Sequence, residues 1–396
     1  MKIDSILLNV FSLVIIFSCS HQAPKQGIDV SFNPATKPFA LLDTTLTHEQ
    51  INEDIDYLIR VLNRAYSGSV KLPDEEFKNL VKKLKGIKGP KTIEQFGVLV
   101  SKLFMEISDS HLTVYFKGLN NQGINFKASV DQDLIGSNMA REGVWKVEST
   151  LINKRKVVIV GITQFPNPSS QLWNGFEEKI MSTLEQNNVL IIDLRGNKGG
   201  DDSKGYWLAS YLRGKEAEVP YATPFDMNTP EAFVVMANAP IVIKSYFNGL
   251  SLEDADLEWI KKLKFLEAKA LRGEKVDLRN NAAMSSTRGE TRSKFRHRGP
   301  IYLLIDNKCS SSGESSVDFF ENIPRVTKVG QNTAGMVHFG NNGFVMLANS
   351  SLVIQLATSF NSYKDGRFIE KTGIKPDIYI ESGKNALNEV FKMIEL

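Results

Sequence analysis

Two stretches decide how this chain folds: LIIDLRGNKGGDDSKGYWLASYL at 190–212 and IYLLIDNKCSSSGESSVDFF at 301–320. Each opens with a run of β-branched and other apolar residues that does not alternate with polar ones, the pattern of a strand buried on both faces. Each then passes through a short turn, glycine-bearing in the first and Ser/Gly-rich in the second, and continues as a helical segment. Such strands need helices to cover them, so the repeated strand–turn–helix order predicts an α/β layer with parallel pairing.

Outward from these stretches the same rhythm continues. KRKVVIVGITQF, from Lys154, reads as a strand, residues near 168–186 as a helix, and RVTKVG at 325–330 as a further strand. Strands at 343–348 and 351–358 form a hairpin, and a helix ends the chain. Towards the N-terminus the period is helical. Thr47 and Gln50 have capping-box spacing, and Ile51, Ile55, Leu58, Ile59 and Leu62 follow on one face. A second helix starts after Pro73 and stops near Gly86; a third starts at Thr92-x-x-Gln95 and carries Ile93, Phe96, Val100, Leu103, Phe104 and Ile107. At ISDSHLTVYF (107–116) the period changes to alternation, which places His111 where helix gives way to strand. Residues 117–152 read as loops and short hairpins. Residues 214–298, with Pro220, Pro224, Pro230 and Pro240, a charged helix and the basic stretch STRGETRSKFRHRG, read as an insertion, a candidate lid or substrate-flanking element.

The 396 residues are 42% hydrophobic and 23% charged, enough to bury a sizeable core. A net charge of +3 gives no argument for nucleic acid or an anionic membrane surface as a partner. At the start, the apolar run Ile6–Phe17 is too short to span a bilayer comfortably. Lys2, this run and the small residues after it resemble a secretory signal, and IFSC ending at Cys19 resembles a bacterial lipobox, with Cys19 as the lipidated residue. The expected organisation is a lipoprotein signal peptide at 1–19, a tether at 20–45 and an N-terminal helical module at 46–110. The core follows at 111–385 and a C-terminal helix at 386–396. Without Cys19 one cysteine remains, Cys309, whose plainest role is a small buried residue.

A strand-to-helix turn gathers backbone N–H groups and the positive end of a helix dipole at one point, which suits a developing oxyanion. Gly199 and Gly200 allow backbone to approach a substrate carbonyl closely. A serine in CSSSGESS would then need a base, normally histidine, oriented by a third group. His21 lies in the tether, His48 starts a helix and His297 sits in the basic stretch, so the candidates are His111 and His338. Spacing alone does not choose between them.

LIIDLRGNKGG, LLIDNKCSSSGESS, VGQNTAG and EKTGIKPDIYI, in this order, resemble the motifs of the C-terminal-processing (tail-specific) serine peptidase family. The resemblance covers most of residues 46–385 and implies a ClpP/crotonase-like fold of stacked βαβ units. It implies Ser311 as nucleophile, three residues before Glu314, with oxyanion donors from Ser312 and Gly200 and with Gly199 in substrate binding. Ser310 and Ser312 are the rival nucleophiles. One branch of the family has a lysine after T-x-G; here TAG is followed by Met336, so a Ser–Lys dyad is not expected. A tricorn-like branch instead pairs an upstream Ser-His with a late glutamate, which implies His111 as base with Ser110 and Glu370 orienting it. No metal or cofactor is implied.

The interval between His111 and the DLRGN strand is short for a complete PDZ domain, so none is expected. The resulting expectation is an envelope-facing, lipid-anchored serine endopeptidase, periplasmic or extracellular, acting on peptides or unfolded segments and of open oligomeric state. Two rivals stand beside it. One is a non-catalytic lipoprotein binding a peptide or apolar ligand in the same cleft; the other is acyl-thioester chemistry of the crotonase type, which would leave the Ser-His pair unexplained.

Overall fold

The computed structural model describes residues 28–32, 41–115, 143–222, 224–247, 249–276, 278 and 295–395. Its frame is a six-stranded sheet. In chain order the strands are β4 (Trp145–Ile152), β5 (Arg155–Ile162), β6 (Val189–Asp193), β8 (Ile301–Ile305), β9 (Val326–Gly330) and β12 (Ile378–Tyr379), and they lie in the order β12-β9-β8-β6-β5-β4. All neighbours pair in parallel except β4, which meets β5 antiparallel through a two-residue turn at Asn153 and Lys154, both at positive φ. That is the turn whose twist suits a tight hairpin.

The unbroken apolar run at 189–192, resumed at Leu194, is explained by its surroundings. Leu190, Ile192 and Leu194 face one core, shared with helices α6 (Ser203–Arg213) and α9 (Ser312–Glu321). Val189 and Ile191 face another, closed by Val390 and Ile394 of the terminal helix α10 (Ala386–Glu395). Both faces are covered, as parallel pairing requires. The α/β architecture expected from the sequence is therefore the one observed.

Between β5 and β6 the structure differs in detail. Instead of one helix over 168–186 there is a 3₁₀ turn, Gln171–Trp173, and a short helix α5, Phe176–Thr183. Gly175 separates them at φ 76°, a left-handed conformation in which a continuous helix cannot pass.

The helical module consists of α1 (His48–Ala65), α2 (Gly68–Lys71), α3 (Asp74–Lys85) and α4 (Ile93–Met105), with β1 (Thr45–Leu46) pairing β2 (Lys91–Thr92). Both capping boxes form: Thr47 and Gln50 exchange bonds of 2.9 and 3.2 Å, and Thr92 and Gln95 bonds of 3.1 and 3.2 Å. The predicted apolar faces are buried, and their core is continuous with a second sheet. In that sheet β11 (Val353–Phe360) lies between β10 (Phe339–Met346) and β3 (Thr113–Tyr115), and β7 (Phe225–Asp226) adds at one end. The module and the hairpin thus share one interior.

The insertion is partly framework. Its helix α7 (Pro230–Pro240) is capped by Thr229 and runs into a π-helical turn, Ile241–Phe247; α8 (Asp254–Leu271) packs on it. Val235 comes so close to Gly343 of β10 that a Cβ there would lie 2.4 Å from its Cγ2. Residues 279–294, which hold most of the basic stretch, lie outside the described residues, as do Cys19 and residues 116–142. Within the stretch expected to be a tether, Val30 and Phe32 are buried. Asn238 of α7 accepts the Phe32 N–H at 3.0 Å and donates to the Val30 carbonyl at 2.7 Å, so an alternating apolar pair is docked there. Among the described residues no helix is long and apolar enough to cross a membrane.

Candidate active site

The two stretches that decide the fold also build the site, because β6 and β8 are neighbours and their following turns lie side by side. Asp306 joins them: its Oδ1 accepts the N–H groups of Gly196, Lys308 and Cys309 at 2.9–3.1 Å. Asn197, fully buried, makes the second join. Its carbonyl accepts the Ser310 N–H at 2.8 Å, its Oδ1 accepts the Gly199 N–H at 2.8 Å, and its Nδ2 donates to the Ile162 carbonyl at 2.9 Å. Arg195 clasps Asp193 through two bonds of 2.6 and 2.8 Å and closes the first turn.

Ser311 stands at the N-cap of α9 with φ 55° and ψ −123°, a conformation that side chains other than glycine rarely adopt. Gly199 makes room for it: a Cβ on Gly199 would lie 2.8 Å from Ser311 Cβ and 2.9 Å from both Ser310 O and Ser312 N. Gly199 itself has its N–H on Asn197 and its carbonyl on the Phe165 N–H. Both of its backbone polar groups are thus engaged within the protein. Gly200, at φ 130°, is pressed against Phe165. The N–H groups of Gly200 and of Ser312, the first residue of α9, donate no hydrogen bond among the described residues. The Ser312 hydroxyl donates to the Gly200 carbonyl at 2.6 Å, which ties the two residues together. Of the three serines, Ser310 is buried, and Ser311 and Ser312 are both half-exposed, Ser312 with its hydroxyl engaged.

Glu314 connects this turn to the TAG segment. The carboxyl accepts Ser311 N–H at 3.1 Å, Thr333 Oγ1–H at 2.6 Å, Gly335 N–H at 2.8 Å and Met336 N–H at 2.7 Å. Burial raises its pKa, and these four donors oppose that rise. From there the path continues without a gap. The Gly335 carbonyl accepts the Lys371 N–H at 2.8 Å, and neighbouring Glu370 accepts the Ser110 N–H at 3.0 Å and the His338 N–H at 3.2 Å. A chain of hydrogen bonds thus joins the Ser311 turn to the residue before His111. Ser110 is joined through its backbone; its hydroxyl is buried and makes no hydrogen bond among the described residues.

The ring of His338 is accounted for. Its Nε2 accepts the Ile369 N–H at 2.9 Å, so Nδ1 bears the proton and donates to the Asn361 carbonyl at 2.8 Å. Rings of Phe360 and Phe368 stack on it, and burial lowers its pKa. His338 has no lone pair left for a substrate or a serine; it holds the backbone that leads into Glu370. Of the two histidines that spacing left open, His338 has both ring nitrogens engaged by backbone, while the ring of His111 lies close to the Glu370 carboxyl.

A sequence profile of peptidase family S41 matches residues 156–380, more than half of the chain. The chain belongs to peptidase family S41. The nisin-resistance protein of Lactococcus lactis subsp. lactis is 27% identical over 237 residues, which are 59% of this chain and 60% of that protein. The chain therefore spans about 60% of the length of that curated relative. A crystal structure of a candidate peptidase from Parabacteroides merdae superposes with TM-score 0.54 at 13% identity, over 87% of this chain and 96% of the other. Mature CPAF superposes with TM-score 0.53 at 13% identity, over 88% and 96%. These likenesses concern the fold, which is that of S41 proteins.

In this S41 chain the surroundings of His111 hold one residue that sequence reasoning passed over. Asp109, two residues upstream in SDSH, accepts the His111 N–H at 2.7 Å through Oδ1, which lies 3.8 Å from His111 Nδ1. Asp-x-His spacing at a helix end was the available signal, since an Asp there reads equally well as a turn former. Burial pushes the Asp109 carboxyl up to about 7; burial and the nearby Asp109 charge push Glu370 up to about 8. Asp109, His111 and Glu370 bring ligand atoms within 4.8 Å of one another, the one such group able to hold a metal ion among the described residues. Cys309 is fully buried and its thiol is pushed up by burial, so it is a packing residue rather than a reactive one.

Proposed function

We propose that this S41 family member is a serine endopeptidase that cleaves extended or unfolded polypeptides through an acyl-enzyme at Ser311. The observation that supports this most is the Ser311 turn itself. A strained, half-exposed serine stands beside two backbone N–H groups, of Gly200 and Ser312, that have no other partner among the described residues.

In the proposed reaction the Ser311 Oγ attacks the scissile carbonyl carbon as its proton passes to His111. The carbonyl oxygen gathers negative charge against the Gly200 and Ser312 N–H groups. Collapse breaks the C–N bond, and His111 gives its proton to the leaving amine. Water then repeats the sequence in reverse roles, with His111 as base, and releases the acid and Ser311. Ser110 and Glu370 keep His111 in place through the bond between them. The mechanism is complete in protons and electron pairs without a metal. Lipid anchoring at Cys19 would place the enzyme on the envelope, where peptide and unfolded substrates are accessible.

The test is treatment of residues 20–396 with a fluorophosphonate, followed by intact mass and peptide mapping. A single adduct on Ser311 that is lost in His111→Ala supports the proposal, and EDTA should leave it unchanged. A folded protein with no adduct would favour a binding protein on the same fold. Adducts on Ser310 or Ser312 would move the nucleophile. Because the Lactococcus relative is named a nisin-resistance protein, nisin is the second substrate to assay. Cys19→Ala should move the protein from the membrane fraction to the soluble one.

A further inference from the structure

His111 has acids on two sides. Glu370 reaches it from the loop after β11, and Asp109 from the end of the helical module. The simplest account of Asp109 is an Asx turn: its Oδ1 accepts the N–H two residues on, which ends the helical segment and starts β3. That account covers one oxygen. The other, Oδ2, is buried with the whole side chain 0% exposed, and the buried Tyr66 hydroxyl, which acts on this carboxyl, forms no hydrogen bond of good geometry with it. A turn-forming Asp has no need to bury its second oxygen, and one held this weakly beside an imidazole calls for a further reason.

We propose that Asp109 is a second orienting carboxylate for His111, so that the imidazole works between two acids rather than against Glu370 alone. This rests on the reading of His111 as the base. Asp109 Oδ1 lies 3.8 Å from His111 Nδ1, an ion-pair separation that a small ring rotation would convert to a hydrogen bond. Formation of the imidazolium during attack by Ser311 would then be stabilised on the Nδ1 side. Tyr66, fully buried at the C-cap of α1, faces Asp109 and limits its freedom. The other charged groups near this cluster are Glu76 towards Tyr66, Lys371 towards Asp109 and Glu314 towards Glu370. Asp109 touches no substrate in this arrangement; it is a positioning residue.

Asp109→Asn separates the two accounts, because an Asn Oδ1 still accepts the His111 N–H while the charge is gone. The measurement is the titration of His111 by NMR on histidine-labelled protein, together with the pH dependence of Ser311 labelling by a fluorophosphonate. We expect the apparent pKa of His111 to fall by about one unit in Asp109→Asn and the labelling rate at neutral pH to fall roughly tenfold. An unchanged His111 titration and an unchanged pH profile in a folded Asp109→Asn protein would overturn the proposal and leave the Asx turn as the whole role. Asp109→Ser, which also keeps an acceptor in the turn, repeats the test if the Asn variant folds poorly. If the wild-type protein takes no label at all, the peptidase reading fails separately, and the histidine titration still decides whether Asp109 acts on His111.

Discussion

Glu370 Oε1 accepts the Ser110 backbone N–H at 3.0 Å across 260 residues of sequence. Its other oxygen takes the His338 N–H, so one buried carboxyl holds together the helical module, the start of the β10 hairpin and its own loop. The relation is costly in charge. Burial and Asp109 raise the Glu370 pKa to about 8 from an ordinary value of 4.5.

The sign of the consequence follows from linkage. A carboxyl whose folded pKa is raised binds its proton more tightly in the folded state, so it contributes falling stability as pH rises from about 4.5 to about 8. Asp109, raised to about 7, acts in the same direction. The melting temperature of the wild type should therefore decline between pH 5 and pH 8, and Glu370→Gln should flatten that decline while slowing Ser311 labelling about tenfold or more. Equal slopes in thermal melts of the two proteins would show that the Glu370 charge is not the cause.

His338→Phe tests the division of labour between the two histidines. The phenyl ring keeps the stack between Phe360 and Phe368 but removes the bonds to Asn361 and Ile369. Leaving that half-buried carbonyl and N–H without these bonds should cost about 1–3 kcal/mol. The variant should melt several degrees lower yet still label at Ser311, more slowly and with the wild-type pH dependence. Loss of all labelling in the folded variant, as expected for His111→Ala, would mean that His338 does more than position Glu370.

The frame of this molecule was legible because its signals are local. Capping boxes at Thr47 and Thr92 are written within four residues, and the double-sided burial of β6 follows from its unbroken apolar run. The choice between His111 and His338 was not legible, because the atoms that occupy the His338 ring come from Asn361 and Ile369, far along the chain. The same holds for Val30 and Phe32: two apolar residues in a Pro-containing polar stretch look loose until Asn238 of α7 is brought to their backbone and Glu231 to that of nearby Ile28. Gly199 and Gly200 looked interchangeable in sequence. Only their different neighbours, Ser311 for one and Phe165 for the other, assign them different work.

Ser311 offers a test of strain. Its φ of 55° and ψ of −123° are costly for any residue with a Cβ and cheap for glycine. Ser311→Ala and Ser311→Gly both lose the hydroxyl, so both should be unlabelled by a fluorophosphonate. The Gly variant should be more stable than the Ala variant by about 1 kcal/mol, after allowing for the larger unfolded-state entropy of glycine. Denaturant melts that rank Ala above Gly would mean that the turn stores no such strain.

The two glycines should fail differently. A Cβ on Gly200 would lie 1.8 Å from the Phe165 carbonyl oxygen, a backbone atom fixed by bonds on either side: Phe165 N–H to Gly199 O at 2.9 Å and Asp201 N–H to Phe165 O at 2.7 Å. No side chain can move to relieve that overlap, so Gly200→Ala must break the bridge between the two segments and should cost about 3 kcal/mol or more, or prevent folding. On Gly199 the overlaps are 2.8–2.9 Å and fall on the Ser311 turn, two of them on backbone atoms, and its own φ of 84° strains any side chain placed there. Gly199→Ala should therefore lose about 1–3 kcal/mol of stability while displacing Ser311 from its donors. A displacement of this kind is enough to slow acylation about a hundredfold. Thermal melts and labelling rates measured side by side separate the two effects. A well-folded Gly200→Ala protein, or a Gly199→Ala protein that labels at the wild-type rate, would contradict the close approach of these turns.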